Sequence, residues 1–182
     1  SCQVGRFIAR QGEKMRTIGW RNNCIRLIDQ TLLPGKFKYL TIKNTHALWQ
    51  AIKKLKVRGA PALGASAGLG VYLGMKDSTA RSYEDFKEQL GEVVKYLASS
   101  RPTARNLFWG LERMLCAAEA NRHLAVGQIK KCLCKEAMKI IEEDRRSCRQ
   151  MAGHGAKLIK RNDRILTICN TGILAIIDYG TA

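Results

Sequence analysis

From Met15 onward apolar and polar side chains alternate with the period of a β-strand, and by Leu48 they recur with the period of a helix. Met15–Trp20, a polar turn at Arg21-Asn22-Asn23, and Cys24–Ile28 predict a hairpin, with Phe37–Ile42 after Pro34-Gly35 as a third strand. The link Asp29-Gln30-Thr31-Leu32-Leu33-Pro34 holds an acid that is either functional or, more commonly before a Pro-Gly turn, a local cap.

Asn44 or Thr45 caps a helix with Leu48, Ala51, Ile52 and Leu55 on one face, stopping before Gly59. Pro61 suits the first turn of the next helix, where Ala62, Gly64, Ala65, Ala67, Gly68 and Gly70 leave the surface nearly bare. Each glycine there costs roughly 1 kcal/mol relative to alanine, which implies close packing or close ligand approach. A third helix opens with the capping box Ser82 to Asp85 and carries Phe86, Leu90, Val93, Val94 and Leu97. A fourth starts near Thr103 with Leu107, Leu111, Met114 and Leu115 inward. A longer fifth runs from Val126 through Ile129, Leu133, Ala137, Ile140 and Ile141 toward Gly153 or beyond. Its charged run, 142–146, reads as a solvated face.

Near the C-terminus Ile165, Leu166 and Ile168 form a short apolar β-run that ends at Cys169, and Asn170-Thr171-Gly172 turns the chain into another apolar helical pattern. This strand–turn–helix predicts the first unit of an α/β domain. One strand and one helix cannot bury their own faces, so the pattern predicts more sheet beyond Ala182. The expected fold class is α/β: an extension at residues 1–14, an N-terminal α+β domain at 15–150 with a small antiparallel sheet and helical bundle, and the beginning of a parallel-sheet domain at 151–182.

Composition changes this picture little. Seven cysteines form no CxxC pair and no His/Cys ligand spacing, which argues for reduced thiols in a cytosol and against structural zinc. The longest apolar run, 60–75, falls short of the ~20 residues a bilayer needs. The net charge of +17 is spread out: residues 1–60 hold 13 Lys and Arg against two acids, while 61–120 are balanced. Without interleaved aromatics or a recognition helix, this favours a pocket for an anionic substrate over nucleic acid.

Candidate chemistry lies in three places. Arg58-Gly59-Ala60-Pro61 and Arg101-Pro102-Thr103-Ala104 each set an arginine just before a helix start, and together they predict a phosphate clamp. Cys169, at the carboxyl end of a strand and the amino end of a helix, is placed where thiolate is favoured and where open sheets bind ligands. His46, His123 and His154 lack partner motifs and read as surface or cap residues.

These phrases in order (Asp29–Pro34, Val57–Ala62, Arg101–Ala104 with Asn106-Leu107, Cys169–Gly172 with Tyr179–Ala182) resemble the methylthioribose-1-phosphate isomerase family from about Met15 to Ala182. The resemblance implies a mixed N-terminal domain, a Rossmann-like C-terminal domain, a homodimer, and cofactor-free and metal-free aldose–ketose isomerisation in methionine salvage. It implies substrate contacts at Arg58, Gly59 and Ala60, phosphate binding at Arg101, and Cys169 as the catalytic thiol. The partner acid falls in a motif that this sequence does not contain, so residues 1–182 alone are expected to be inactive.

The chain departs from the family at Ile168, usually His, and at Ile176, Ile177 and Asp178, usually small. Losing the imidazole raises the expected thiol pKa, and Asp178 brings a negative charge toward an anion site. Two relatives compete. The regulatory subunits of the translation-initiation guanine exchange factor generally lack the turn supplied by Cys169–Gly172. Ribose-1,5-bisphosphate isomerase keeps the cysteine, but typically lacks the proline at Pro61 and the Asp29–Pro34 phrase.

Overall fold

The computed structural model describes residues 15–168 and 172–180. Strands β1 (Ile18–Arg21) and β2 (Cys24–Ile28) pair antiparallel, with Ile18 opposite Leu27 and Arg21 opposite Cys24. Asn22 and Asn23 form the loop at φ 50° and 60°, the left-handed geometry that matches strand twist and that asparagine tolerates. Strand β3 (Tyr39–Ile42) adds to β2, giving the order β1-β2-β3. It starts two residues later than its alternation predicts. Ile18, Ile25, Leu27 and Ile42 bury one face of this sheet in the core.

Helix α1 (Thr45–Lys53) is capped by Asn44, whose side chain accepts from the Ala47 N–H at 2.8 Å. Leu48, Ala51 and Ile52 are buried, but Leu55 is not: it follows the helix end at φ 57°, and its side chain leaves the apolar face. Helix α2 (Ala60–Met75) is the axis of the fold, and every residue from Ala62 to Val71 is buried. Its bare surface serves close packing. A Cβ on Gly70 would stand 2.4 Å from Leu48, and one on Gly110 would stand 2.6 Å from the Gly64 carbonyl.

Around α2 lie α3 (Tyr83–Ala98), capped by Ser82, α4 (Arg105–Ala120) and α5 (Val126–Gly155). Leu107, Leu111 and Met114 face inward as their spacing predicts, whereas Leu115 is at the surface. Helix α5 buries Ile129, Leu133, Ala137 and Ile140 and runs unbroken across residue 150. No helix among the described residues is long and apolar enough to cross a membrane.

The C-terminal stretch differs from its pattern. Residues 163–168 form no strand, and Ile165, Leu166 and Ile168 are exposed. A parallel strand takes its hydrogen bonds from neighbouring strands, and the sheet among the described residues consists of β1, β2 and β3. Instead of a longer helix, Ile173–Ala175 makes one 3-10 turn, and Ile176, Ile177 and Asp178 are buried against the rest of the chain. The charged run on α5 is therefore no simple solvated face. The Asp144 carboxylate accepts from the Ile177 N–H at 3.2 Å, Arg145 pairs with Asp178, and Glu143 pairs with Arg113 of α4.

Candidate functional site

The two arginine loops meet. Buried Val57 anchors the first loop, and Gly59, at φ −63° and ψ 141°, turns the chain into α2 with Pro61 in the first turn. The second loop follows α3, and Arg101 Nη1 donates to the Arg58 carbonyl at 3.4 Å. The Arg58 side chain is exposed and that of Arg101 half-buried. Neither meets a carboxylate among the described residues, so both charges are available to an anion. Ala60 is exposed beside Arg58 as the first residue of α2.

Against the first of these loops lies the stretch that follows Cys169 in sequence. A Cβ on Gly59 would stand 2.0 Å from the Ala175 carbonyl oxygen, so the Arg58 loop and Ala175 touch through bare backbone. Three further bonds hold the stretch: Thr17 Oγ1 to the Ile173 carbonyl at 2.6 Å, Gln30 Nε2 to the Leu174 carbonyl at 2.8 Å, and the Thr17 N–H to the Ile177 carbonyl at 2.7 Å. Cys169 itself, with Asn170 and Thr171, lies outside the described residues. The chain downstream of it packs on the Arg58 loop through Ala175.

The acids near the site are engaged. Asp29 caps its own turn: its Oδ1 accepts from the Thr31 N–H and hydroxyl, and Lys56 Nζ lies 2.9 Å from Oδ2. Burial pushes this carboxyl up, but the bonds from Thr31 and Lys56 outweigh it and hold it below the usual 3.8. Asp178 is buried with Oδ2 at 2.6 Å from Arg145 Nε, so the charge expected to face the anion site is neutralised from α5 instead. Its Oδ1 has no hydrogen-bond partner among the described residues. Burial raises the Asp144 carboxyl, as does the nearby Asp178. Cys148, packed with Ala175 and Ile176, is pushed up to about 11 by burial and by both carboxylates, which makes it an inert thiol.

Among the described residues no three His, Cys, Asp or Glu side chains gather as a metal site. His46 Nδ1 lies 2.8 Å from the Tyr96 hydroxyl at the surface. Sequence reasoning missed Thr17, Gln30, Asp144 and Arg145. Gln30 lay within the Asp29–Pro34 phrase, and Asp144 and Arg145 within the run read as a solvated face, but the contacts named for all four span more than 30 residues of sequence.

A three-stranded sheet and a helical layer around a glycine-rich axis, with paired arginine loops at the start of α2 and α4, define a class. Residues 56–178 match the Initiation factor 2 subunit family, and the chain belongs to it. Within that family it is 47% identical over 170 residues to a 5-deoxyribose 1-phosphate isomerase of Moorella thermoacetica, covering 93% of this chain and 48% of the relative. It is 46% identical over 167 residues to a methylthioribose-1-phosphate isomerase of Geotalea daltonii, covering 92% and 48%.

Among solved structures, 5-methylthioribose 1-phosphate isomerase from Pyrococcus horikoshii superposes with a TM-score of 0.85 at 37% identity, over 91% of this chain and 46% of that one. The translation initiation factor eIF-2B subunit delta from A. fulgidus gives 0.81 at 42%, over 91% and 48%. The chain thus spans about half the length of the relatives it matches. The family resemblance and the mixed α/β class read from the sequence are both borne out.

Proposed function

We propose that the chain forms the phosphate-gripping part of a sugar-phosphate isomerase that converts 5-methylthioribose 1-phosphate to 5-methylthioribulose 1-phosphate. The observation that carries this reading is the contact between the Arg101 guanidinium and the Arg58 loop at the start of α2, beside the stretch that follows Cys169. In the reaction one hydrogen moves from C2 to C1 while the C2 hydroxyl proton ends on the ring oxygen, so no outside oxidant is needed. Arg58 and Arg101 hold the phosphate, with Gly59 and Ala60 lining the approach, so that the opened sugar stays in place. Cys169 accepts or relays a proton at the reacting carbons.

The catalytic domain is completed by a partner acid and by strands that pair with residues 165–168, and the working enzyme is a cytosolic homodimer. Residues 1–182 by themselves have negligible turnover.

Relatives named for 5-deoxyribose 1-phosphate favour a second substrate that differs only at C5, away from the phosphate grip. The neighbour titled as an exchange-factor subunit favours a non-catalytic reading. Calorimetric titration with methylthioribose 1-phosphate, 5-deoxyribose 1-phosphate and unphosphorylated methylthioribose separates these. The isomerase reading expects binding of phosphorylated sugars alone, with the tighter one naming the substrate. No binding of any sugar phosphate overturns it.

A further inference from the structure

The far end of α2 carries a cavity that the proposed reaction does not use. It lies between the last turn of α2 and the first turns of α5 and holds about 520 Å³, a size that suits a small organic ligand. Residues 60–75 make about 24 Å of helix, so this cavity and the Arg58 loop stand at opposite ends of α2. Its floor is apolar. Tyr72, Cys134 and Met138 line it, each half-buried, and the Tyr72 ring is backed by Trp20 of β1 with centroids 5.0 Å apart. Burial raises the Tyr72 phenol above its usual 10.0, and the neighbouring Cys134 and Asp77 raise it further, so the ring presents a neutral surface.

The rim is cationic, with four lysines around one opening. Lys76, only 14% exposed, pairs with Asp77, and Lys130 Nζ donates to the Ser78 carbonyl at 2.9 Å, so both aliphatic stems are held as walls. Lys131 and Lys135 are exposed and meet no carboxylate among the described residues. They stand four residues apart on α5, where like charges repel and cost helix stability. Their neighbour Glu136 is taken by Arg113. A bound anion would relieve that repulsion while its apolar part covers the floor.

We propose that this cavity binds a small organic anion, its carboxylate head held by Lys131 and Lys135 and its apolar body lying on Tyr72, Cys134 and Met138. The two parts of the ligand answer to the two parts of the cavity. Charge alone finds no dry floor to displace water from, and an apolar body alone leaves the paired ammonium groups unmatched.

The test reads occupancy at Cys134. With N-ethylmaleimide as the reagent, fragment-ion mass spectrometry resolves Cys134 from Cys132, and exposed Cys116 serves as the internal control. Decanoate and 2-naphthoate are expected to slow alkylation of Cys134 saturably and to leave Cys116 unchanged, with the tighter of the two naming the body as acyl or aromatic. Inorganic phosphate and decanol, the charge and the body alone, should give no such protection. K131A/K135A should raise the half-protecting concentration about two- to thirtyfold, as for the loss of two partly exposed ion pairs. Both lysines are exposed and alanine is the best helix former, so this variant keeps the fold. Salt at about 1 M should weaken protection in the parent and weaken it less in the variant.

No saturable protection of Cys134 by either carboxylate, equal protection by decanol or phosphate, or an unchanged half-protecting concentration in the variant overturns the proposal. Any of these leaves the isomerase reading untouched, since the two sites lie at opposite ends of α2.

Discussion

Replacing Gly59 with alanine probes the closest backbone approach at the site. The new Cβ would lie 2.0 Å from the Ala175 oxygen and 2.3 Å from its Cα, where ordinary contact begins at 3.4 Å. One backbone must therefore retreat by about 1.4 Å, and both are held by hydrogen bonds. Gly59 sits at φ −63°, open to alanine, so the cost is steric and not conformational. With residue 175 elsewhere, alanine would stabilise the chain by about 0.4–1 kcal/mol through the unfolded state. With it in place, overpacking costs about 1–3 kcal/mol. Urea denaturation should therefore show G59A with a lower midpoint, and limited proteolysis should cut near residues 172–180 faster than in the parent. A midpoint equal to or above the parent's would refute the packing of residues 172–175 on the Arg58 loop.

Other expectations rest on the contact between α5 and residues 176–178. R145M leaves the buried Asp178 carboxylate unpaired and should cost about 3–5 kcal/mol in urea unfolding, with D178N in the same chain recovering much of it. A loss below about 1 kcal/mol would show that the pair is not buried as described. Stability should also fall with alkalinity. The unfolded thiol of Cys148 loses its proton near 9.0 and the folded one near 11, so between those values the unfolded chain binds fewer protons and the folded state loses ground. Urea midpoints measured from pH 8 to 11 should decline through that window and flatten in C148A; an equal decline in both would assign the effect elsewhere.

Local pattern made much of the fold legible. Alternation at 18–28 gave the hairpin, the Ser82 and Asn44 caps gave helix starts, and the glycines of α2 announced a packed axis. The misses have physical causes. Leu55 follows the helical period but enters the left-handed region, so periodicity outlives the helix there. Ile165–Ile168 carries strand residues but lies outside the three-stranded sheet, and propensity alone does not form a strand. The run at 142–146 looked solvated because its partners, Arg113, Ile177 and Asp178, are at least 30 residues away. At the site, the arginine loops were legible from their repeated design. The Gln30 and Thr17 ties were not, since a glutamine or threonine carries no sign of which carbonyl it will meet.

The measurement that bears most directly on the central claim is protection of Cys169 against iodoacetamide, followed by peptide mass spectrometry in the unsubstituted chain, R58Q and R101Q. If paired arginines hold the phosphate of a sugar whose carbons face the thiol, methylthioribose 1-phosphate slows alkylation of Cys169, unphosphorylated methylthioribose does not, and either substitution abolishes the effect. Alkylation that proceeds equally with and without the sugar phosphate, or protection that survives in both variants, would contradict it.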